Sequence, residues 1–160
     1  MPPALTPVTC KCGSPVELAP SPKGPAWRCI MRRRAHPDRV RHLELVISAT
    51  PMRMLQAFAL VDNIPEAQVL AAASKSQAYA GAVTLAHHGL LIRHPHRPVT
   101  AGGVLTGTLP GSQWVTERGL DLLAAEWLRR RLELYRGLNG SGCLGPHLAV
   151  DNQPECSLRE

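Results

Sequence analysis

The chain has 160 residues and a formal net charge of +6; 44% of it is hydrophobic, yet it contains only one Phe, two Tyr and three Trp. That length suits one compact core with a small appendage and leaves little room for two full domains, and so few aromatics mean a core of Ala, Leu and Val, which favours close-packed helices. No stretch approaches the roughly 20 apolar residues of a membrane span, and no charged segment followed by an apolar run marks a secretory signal, so the expectation is a cytoplasmic protein.

In a reducing compartment the five cysteines, at 10, 12, 29, 143 and 156, are expected to be metal ligands or free thiols rather than disulfides. Charge is uneven: residues 1–50 carry eight Lys and Arg against three acids, whereas 137–160 carry one against three. Fifteen of the eighteen basic residues are Arg, whose fixed fork of donors suits phosphate and carboxylate; a GC-rich coding bias produces the same excess.

From the N-terminus, residues 1–47 begin with Cys10-Lys11-Cys12-Gly13. They continue through Pro15-Val16-Glu17-Leu18, a turn at Ser21-Pro22-Lys23-Gly24-Pro25, and Ala26-Trp27-Arg28-Cys29. Thiolates on two sides of such a hairpin can converge on one tetrahedral Zn(II), which stabilises a segment too small to fold on its own core. The pattern resembles a zinc ribbon, and in particular the Gly-Arg-Phe type zinc finger, with Cys-x-Cys-Gly, a turn, and a third Cys after an aromatic. That resemblance implies single-stranded nucleic acid as a ligand. The family pattern ends in a fourth Cys, and none occurs here until Cys143. His36 is the natural substitute, seven residues after Cys29, with His42 behind it. The alternative is a Pro-rich leader whose thiols bind nothing. Arg32, Arg33, Arg34, Arg39 and Arg41 follow, either as electrostatic footing on nucleic acid or as a solvated linker.

Residues 48–136 hold the helical periodicity. Pro51 tolerates a first helical turn, and Met54, Leu55, Phe58, Ala59 and Leu60 space a first helix up to Asp62-Asn63. Ile64-Pro65-Glu66 restarts a short second helix with Val69 and Leu70 on its buried side. After Ser74-Lys75-Ser76, a third helix is predicted from Gln77 to about His88, burying Tyr79, Ala82, Val83 and Ala86 before Gly89 ends it. Leu90-Leu91-Ile92-Arg93 reads as a strand and 94–111 as a polar loop. A second strand, Gln113-Trp114-Val115, precedes a long helix capped by Thr116, with Leu120, Leu123, Ala124, Trp127 and Leu128 as its apolar stripe.

This order resembles the winged helix-turn-helix family. Leu85-Ala86-His87-His88-Gly89-Leu90-Leu91-Ile92-Arg93 is similar to its helix-to-wing junction, and Trp114-Val115-Thr116-Glu117-Arg118-Gly119 to the wing-return segment of MarR-like regulators. The resemblance implies an α+β, mainly helical domain whose third helix enters the major groove of double-stranded DNA while the wing reaches backbone or minor groove. Carried over by position, Ser76, Gln77, Gly81 and Thr84 would face the groove, with Gln77 reading adenine. Lys75 and His88 would lie near phosphates, and Arg93, His94, His96 and Arg97 would arm the wing, with Arg32, Arg33 and Arg34 adding contacts.

The third helix carries no Arg, so phosphate neutralisation is thin and docking on a partner protein is the competing expectation. Imidazoles at His94 and His96 read first as exposed loop residues. Arg129-Arg130-Arg131 has Glu126 and Glu133 within four residues, the pattern of a solvated helix face.

Residues 137–160, Gly-rich and then acidic, are expected to be a flexible tail. No phosphate loop, nucleophile elbow, paired-His metalloprotease helix or carboxylate pair points to catalysis. The expectation is a bacterial or phage DNA-binding transcriptional regulator, not an enzyme, with zinc bound by Cys10, Cys12, Cys29 and His36 or His42. A second copy of the chain is a further expected partner, because the last helix offers more apolar surface than one wing covers.

Overall fold

The computed structural model describes residues 6–34 and 40–140, apart from the side chains of 139 and 140. It is mixed α+β, with four helices and three small antiparallel sheets among the described residues. Two compact units are distinguished, Met1–Leu123 and Ala124–Glu160.

Three strands form the first sheet: β1 (Val16–Ala19), β2 (Ala26–Cys29) and β3 (Glu44–Val46), with β2 in the centre. The β1/β2 turn closes through paired backbone hydrogen bonds between Ser21 and Gly24 at 3.1 and 3.0 Å, at the Pro- and Gly-rich site that turn chemistry demands. As the central strand, β2 buries Ala26, Trp27 and Cys29. Arg28 lies opposite Glu44 in register and pairs with it at 3.3 Å. The third strand is not legible in the sequence, because it is only three residues long and no alternating pattern is long enough to show.

Helix α1 (Thr50–Phe58) starts on Pro51 and buries Met52, Met54, Leu55, Ala57 and Phe58. Helix α2 (Ile64–Leu70) is capped by Asn63, whose side chain accepts the Glu66 N–H at 2.9 Å. Helix α3 (Lys75–His87) opens with a capping box: Ser74 Oγ accepts the Gln77 N–H at 3.2 Å, and Gln77 Oε1 accepts the Ser74 N–H at 3.0 Å. The three helices pack on one another, α1 at the centre of the contacts.

The helices lie where periodicity places them, and α1 buries the expected Met54, Leu55 and Phe58, but the faces of α2 and α3 differ. Helix α2 buries Ile64 and Ala67, whereas Val69 and Leu70 are 79% and 54% exposed. Helix α3 buries Ala78, Gly81, Ala82 and Leu85, leaving Tyr79 and Val83 each 40% exposed. The cause is close approach: a Cβ at Gly81 would stand 3.2 Å from Met54 Cγ and 3.7 Å from Pro51 Cα. Small residues face α1, and the bulkier ones that set the expected stripe are turned outward.

Beyond α3, Gly89 takes φ +72°, a left-handed cap that costs other residues strain. Strands β4 (Leu91–His94) and β7 (Ser112–Val115) pair antiparallel, Arg93 opposite Gln113. The polar loop expected between them is instead a second hairpin, β5 (Arg97–Ala101) with β6 (Val104–Leu109). Gly102 and Gly103, at φ +59° and +80°, supply its tight turn. A Gly-Gly pair between aliphatic runs is a hairpin signal, and it outweighs the polarity that suggested a loop.

Helix α4 (Glu117–Gly140) begins at Thr116, whose Oγ1 accepts the Gly119 N–H at 3.1 Å and donates to Gly89 O at 2.7 Å. Its first turns bury Gly119 and Leu122, not the expected Leu120, which is 54% exposed; Trp127 is 60% exposed. A Cβ at Gly119 would fall 2.4 Å from Leu90 O, so the helix start seats closely on the β4 entry through a residue with no side chain. No described helix is long and apolar enough to cross a membrane.

Candidate metal centre

Cys10-Lys11-Cys12-Gly13 closes a tight turn, with the Gly13 N–H donating to Cys10 O at 2.9 Å and Gly13 at φ +86°. That geometry needs glycine and points both thiols to one side. The third thiol, Cys29, ends β2, and a second turn follows in which the Arg32 N–H donates to Cys29 O at 3.2 Å. His42 lies just before β3, brought beside Cys29 because the Cys29 N–H donates to Leu43 O at 2.9 Å.

The ligand atoms of Cys10, Cys12, Cys29 and His42 all lie within 4.8 Å of one another, and all three cysteines are free thiols. Cys12 Sγ and Cys29 Sγ are 3.6 Å apart. A tetrahedron of about 2.3 Å metal–sulfur bonds has edges of roughly 3.8 Å, so the spacing fits one small tetrahedral ion. Backbone N–H groups are already aimed at two sulfurs, Leu43 at Cys10 Sγ (3.2 Å) and Met31 at Cys29 Sγ (3.4 Å), as stabilisation of thiolates requires. His42 Nε2 lies 2.8 Å from Arg34 O. A carbonyl only accepts, so Nε2 carries the proton and Nδ1 is left as the ligand nitrogen.

Proton affinities within the cluster are split. Burial raises the Cys29 thiol to about 12, reinforced by Cys12 and Cys10 and opposed by the Met31 N–H. For Cys12 burial also raises the pKa, but hydrogen bonds from the Ser14 side chain and backbone, with contributions from Cys29 and Cys10, outweigh it and lower the thiol to about 6. Without a cation, Cys12 therefore readily gives up its proton while Cys29 keeps its own. A divalent ion reverses that balance.

The ligand set is that expected for the three cysteines. Of the two histidines weighed for the fourth place, the structure brings in His42; His36 lies outside the described residues, as do Arg39, Cys143 and Cys156.

The residues expected to touch nucleic acid are scattered in their fitness for it. Lys75, Ser76, Arg93, His94, His96, Arg97, Arg33 and Arg34 are exposed, and Arg32 and Thr84 half-buried. Arg93 Nε donates to Gln113 Oε1 at 3.2 Å, which anchors its stem on β7. Gln77 is exposed but spends its side-chain carbonyl on capping α3, so two-pronged recognition of adenine would break the cap.

Two of the expected contacts are corrected. Gly81 is packed against Met54 in the core, on the side of α3 opposite to any groove. His88 is 2% exposed, and neither ring nitrogen makes a hydrogen bond of normal geometry among the described residues. Burial first, then the charges of Arg41, His87 and Lys11, lower its pKa to about 4, the Arg41 backbone opposing. It is a neutral imidazole inside the protein rather than a phosphate contact. Lys11, from the cysteine turn, also comes close to Gly89: a Cβ there would lie 3.7 Å from Lys11 Cδ. The cysteine turn thus packs at the end of α3.

A groove of about 650 Å³ is lined by Asp62, Glu66, Tyr79, Arg93, His94 and His96, among others. A shallower recess of about 540 Å³ gathers Lys23, Arg28, Arg32 and Arg41 with Glu44 on the first sheet. No family profile, curated protein or solved structure matches the chain.

Proposed function

We propose that residues 48–136 form a winged helix-turn-helix module that binds double-stranded DNA in transcriptional regulation, and that Zn(II) at Cys10, Cys12, Cys29 and His42 braces it. The observation that carries this reading is the arrangement around α3. A short capped helix leads into it, one side is buried on α1, and the other side is open at Lys75, Ser76 and Ala80. A β4/β7 hairpin bearing exposed Arg93 follows at once, and exposed Arg97 opens the β5/β6 hairpin beyond it. In this module α3 lies in the major groove and the hairpin is the wing. Arg33 and Arg34, exposed beside the metal cluster, add phosphate contacts. The role of the chain is recognition, without catalysis.

Zinc suits the cluster because three thiolates and one imidazole, all donors at tetrahedral spacing, form a closed shell with no open position for substrate. Its work is structural. It supplies folding energy to a three-stranded sheet too small to be stable on its own apolar contacts.

A second reading rests on a specific observation: the outward side of α3 is apolar at Tyr79, Ala80 and Val83, and 98–116 contains no charged residue. Such a surface suits docking on a protein. Fluorescence anisotropy of labelled duplex and single-stranded DNA across a salt series separates the two. Regulator function requires duplex binding that weakens steeply with salt and falls about tenfold or more in an Arg93→Ala, Arg97→Ala variant. No binding at low salt hands the module to a protein partner, and preference for single strands shifts recognition to the cysteine-rich sheet.

A further inference from the structure

The recess on the first sheet runs along β2 and β3, and their register fixes its two ends. Arg28 lies opposite Glu44, and Ala26 opposite Val46, two residues or about 7 Å further along. One end is cationic. Arg28 comes from the central strand, Arg32 from the turn after Cys29, and Arg41 from the position before His42. Cys29 and His42 belong to the metal cluster, so the cluster also sets where these three side chains begin. The other end, at the β1/β2 turn, is formed by Pro22, Lys23 and Val46.

Four cations line this recess against one acid, Glu44, which pairs with Arg28 at 3.3 Å. The Arg28 side chain is only 11% exposed, and its buried Nε has no hydrogen-bond partner among the described residues. A buried N–H without an acceptor carries the full cost of leaving water, and neighbouring positive charges add to it. The sheet does not need that cost for its packing, because Ala26, Trp27 and Cys29 already supply the buried surface of β2. A buried donor left without a partner calls for an ion or a ligand as its explanation.

We infer that the recess binds the phosphate monoester of a nucleotide-sized molecule. A phosphate dianion offers three terminal oxygens to several guanidinium forks at once, supplies the acceptor that Arg28 Nε lacks, and offsets the excess positive charge. A carboxylate brings one charge and two oxygens, too few for this lining. The volume of about 540 Å³ lies in the range of sites for small organic ligands, well above what phosphate alone fills. Pro22 and Val46 give the organic part an apolar rest about 7 Å from the phosphate, and Lys23 adds a donor there. The same group arrives on a free mononucleotide or at the 5′ end of a nucleic-acid strand. The inference rests on the first sheet and stands whatever α3 recognises.

Calorimetric titration of the full, metal-loaded chain with adenosine 5′-monophosphate tests it, with adenosine as the control. The nucleotide is expected to bind at least about a hundredfold more tightly than the nucleoside, and less tightly as salt rises. Arg28→Met and Arg32→Gln should each weaken binding about tenfold or more. Should Arg28→Met disturb the sheet, Arg32→Gln, in a turn, and Arg41→Gln, exposed, keep the test open in an unaltered fold, checked by circular dichroism. Arg131→Gln, exposed on α4, is expected to change nothing.

Competition separates the sources. Displacement of the nucleotide by a 5′-phosphorylated single strand, more strongly than by free nucleotide, assigns the recess to strand ends; weaker displacement assigns it to the free nucleotide. Equal displacement by 5′-phosphorylated and 5′-hydroxyl strands would place internal phosphodiesters there and overturn the inference. So would equal affinity for adenosine and its monophosphate, no binding at millimolar nucleotide, or an affinity indifferent to the Arg28, Arg32 and Arg41 variants.

Discussion

At the scale of single residues, the four ligands of the metal cluster and the buried His88 carry the sharpest consequences. Loading the chain with Co(II) in place of zinc should give the intense visible absorption of a tetrahedral thiolate site at one ion per chain. Cys29→Ser and His42→Ala should each lose that signal or weaken binding by at least about tenfold, whereas His36→Ala should leave it unchanged. Retention of the signal in His42→Ala would remove it from the shell.

His88 makes a different prediction, with a definite sign. Its folded pKa of about 4 lies below the 6.5 of a free imidazole, so the unfolded chain binds the extra proton first. The stability it allows is therefore complete above pH 6.5 and is lost as pH falls toward about 4, a loss of about 3 kcal/mol. Urea midpoints from pH 7 to pH 4 should fall less steeply for His88→Leu than for the natural chain. Proton competition for the metal ligands affects both proteins alike, so the difference between their slopes isolates His88. Equal slopes would mean that the imidazole is solvated.

At the scale of elements, α3 is the piece whose fit is most easily broken. Gly81→Val puts branched carbons where a single Cβ already meets Met54 at 3.2 Å, and should destabilise by about 1–3 kcal/mol without changing the α3 surface. Thermal melting checks this, with Ala80→Val, one residue away on the open side, expected to cost far less. The capping box gives a milder effect: Ser74→Ala should cost about 1 kcal/mol.

Much at this scale was legible in the order of residues. Pro51, Asn63, Ser74, Gly89 and Thr116 punctuate the helices because each satisfies or releases specific backbone groups near its own position. The face of α1 was legible too, at Met54, Leu55 and Phe58, but those of α2 and α3 were not. Tyr79 and Val83 look like core on any hydrophobicity scale, and they lose the inward position to Ala78, Gly81 and Ala82 because α1 comes too close for anything larger. The β5/β6 hairpin was legible in principle at Gly102-Gly103, but its fully exposed strands lack the polar alternation that marks a half-buried ribbon.

At the scale of the whole molecule, the metal cluster joins parts distant in sequence. Cys10 and Leu43 are linked by a backbone hydrogen bond to sulfur, and the Cys10–Cys12 turn reaches Gly89 through Lys11. Removing the metal with a chelator should therefore lower the melting temperature. It should also raise amide exchange in β1, β2 and β3 first, with the α3 end at His88 and Gly89 following. Exchange unchanged at α3 would confine the metal's influence to the small sheet.

The sequence by itself determined the mixed α+β class, the position of each helix and the three thiols of the cluster, because these depend on local backbone chemistry and on residue type. Tertiary structure alone decided the rest. It chose His42 among the described residues because β3 pairs with β2, it turned Gly81 and His88 inward, and it left Trp127 and Leu134 in water. Which side of a helix is buried, and which distant side chain completes a site, depends on how closely two backbones approach, and spacing along one chain does not contain that distance.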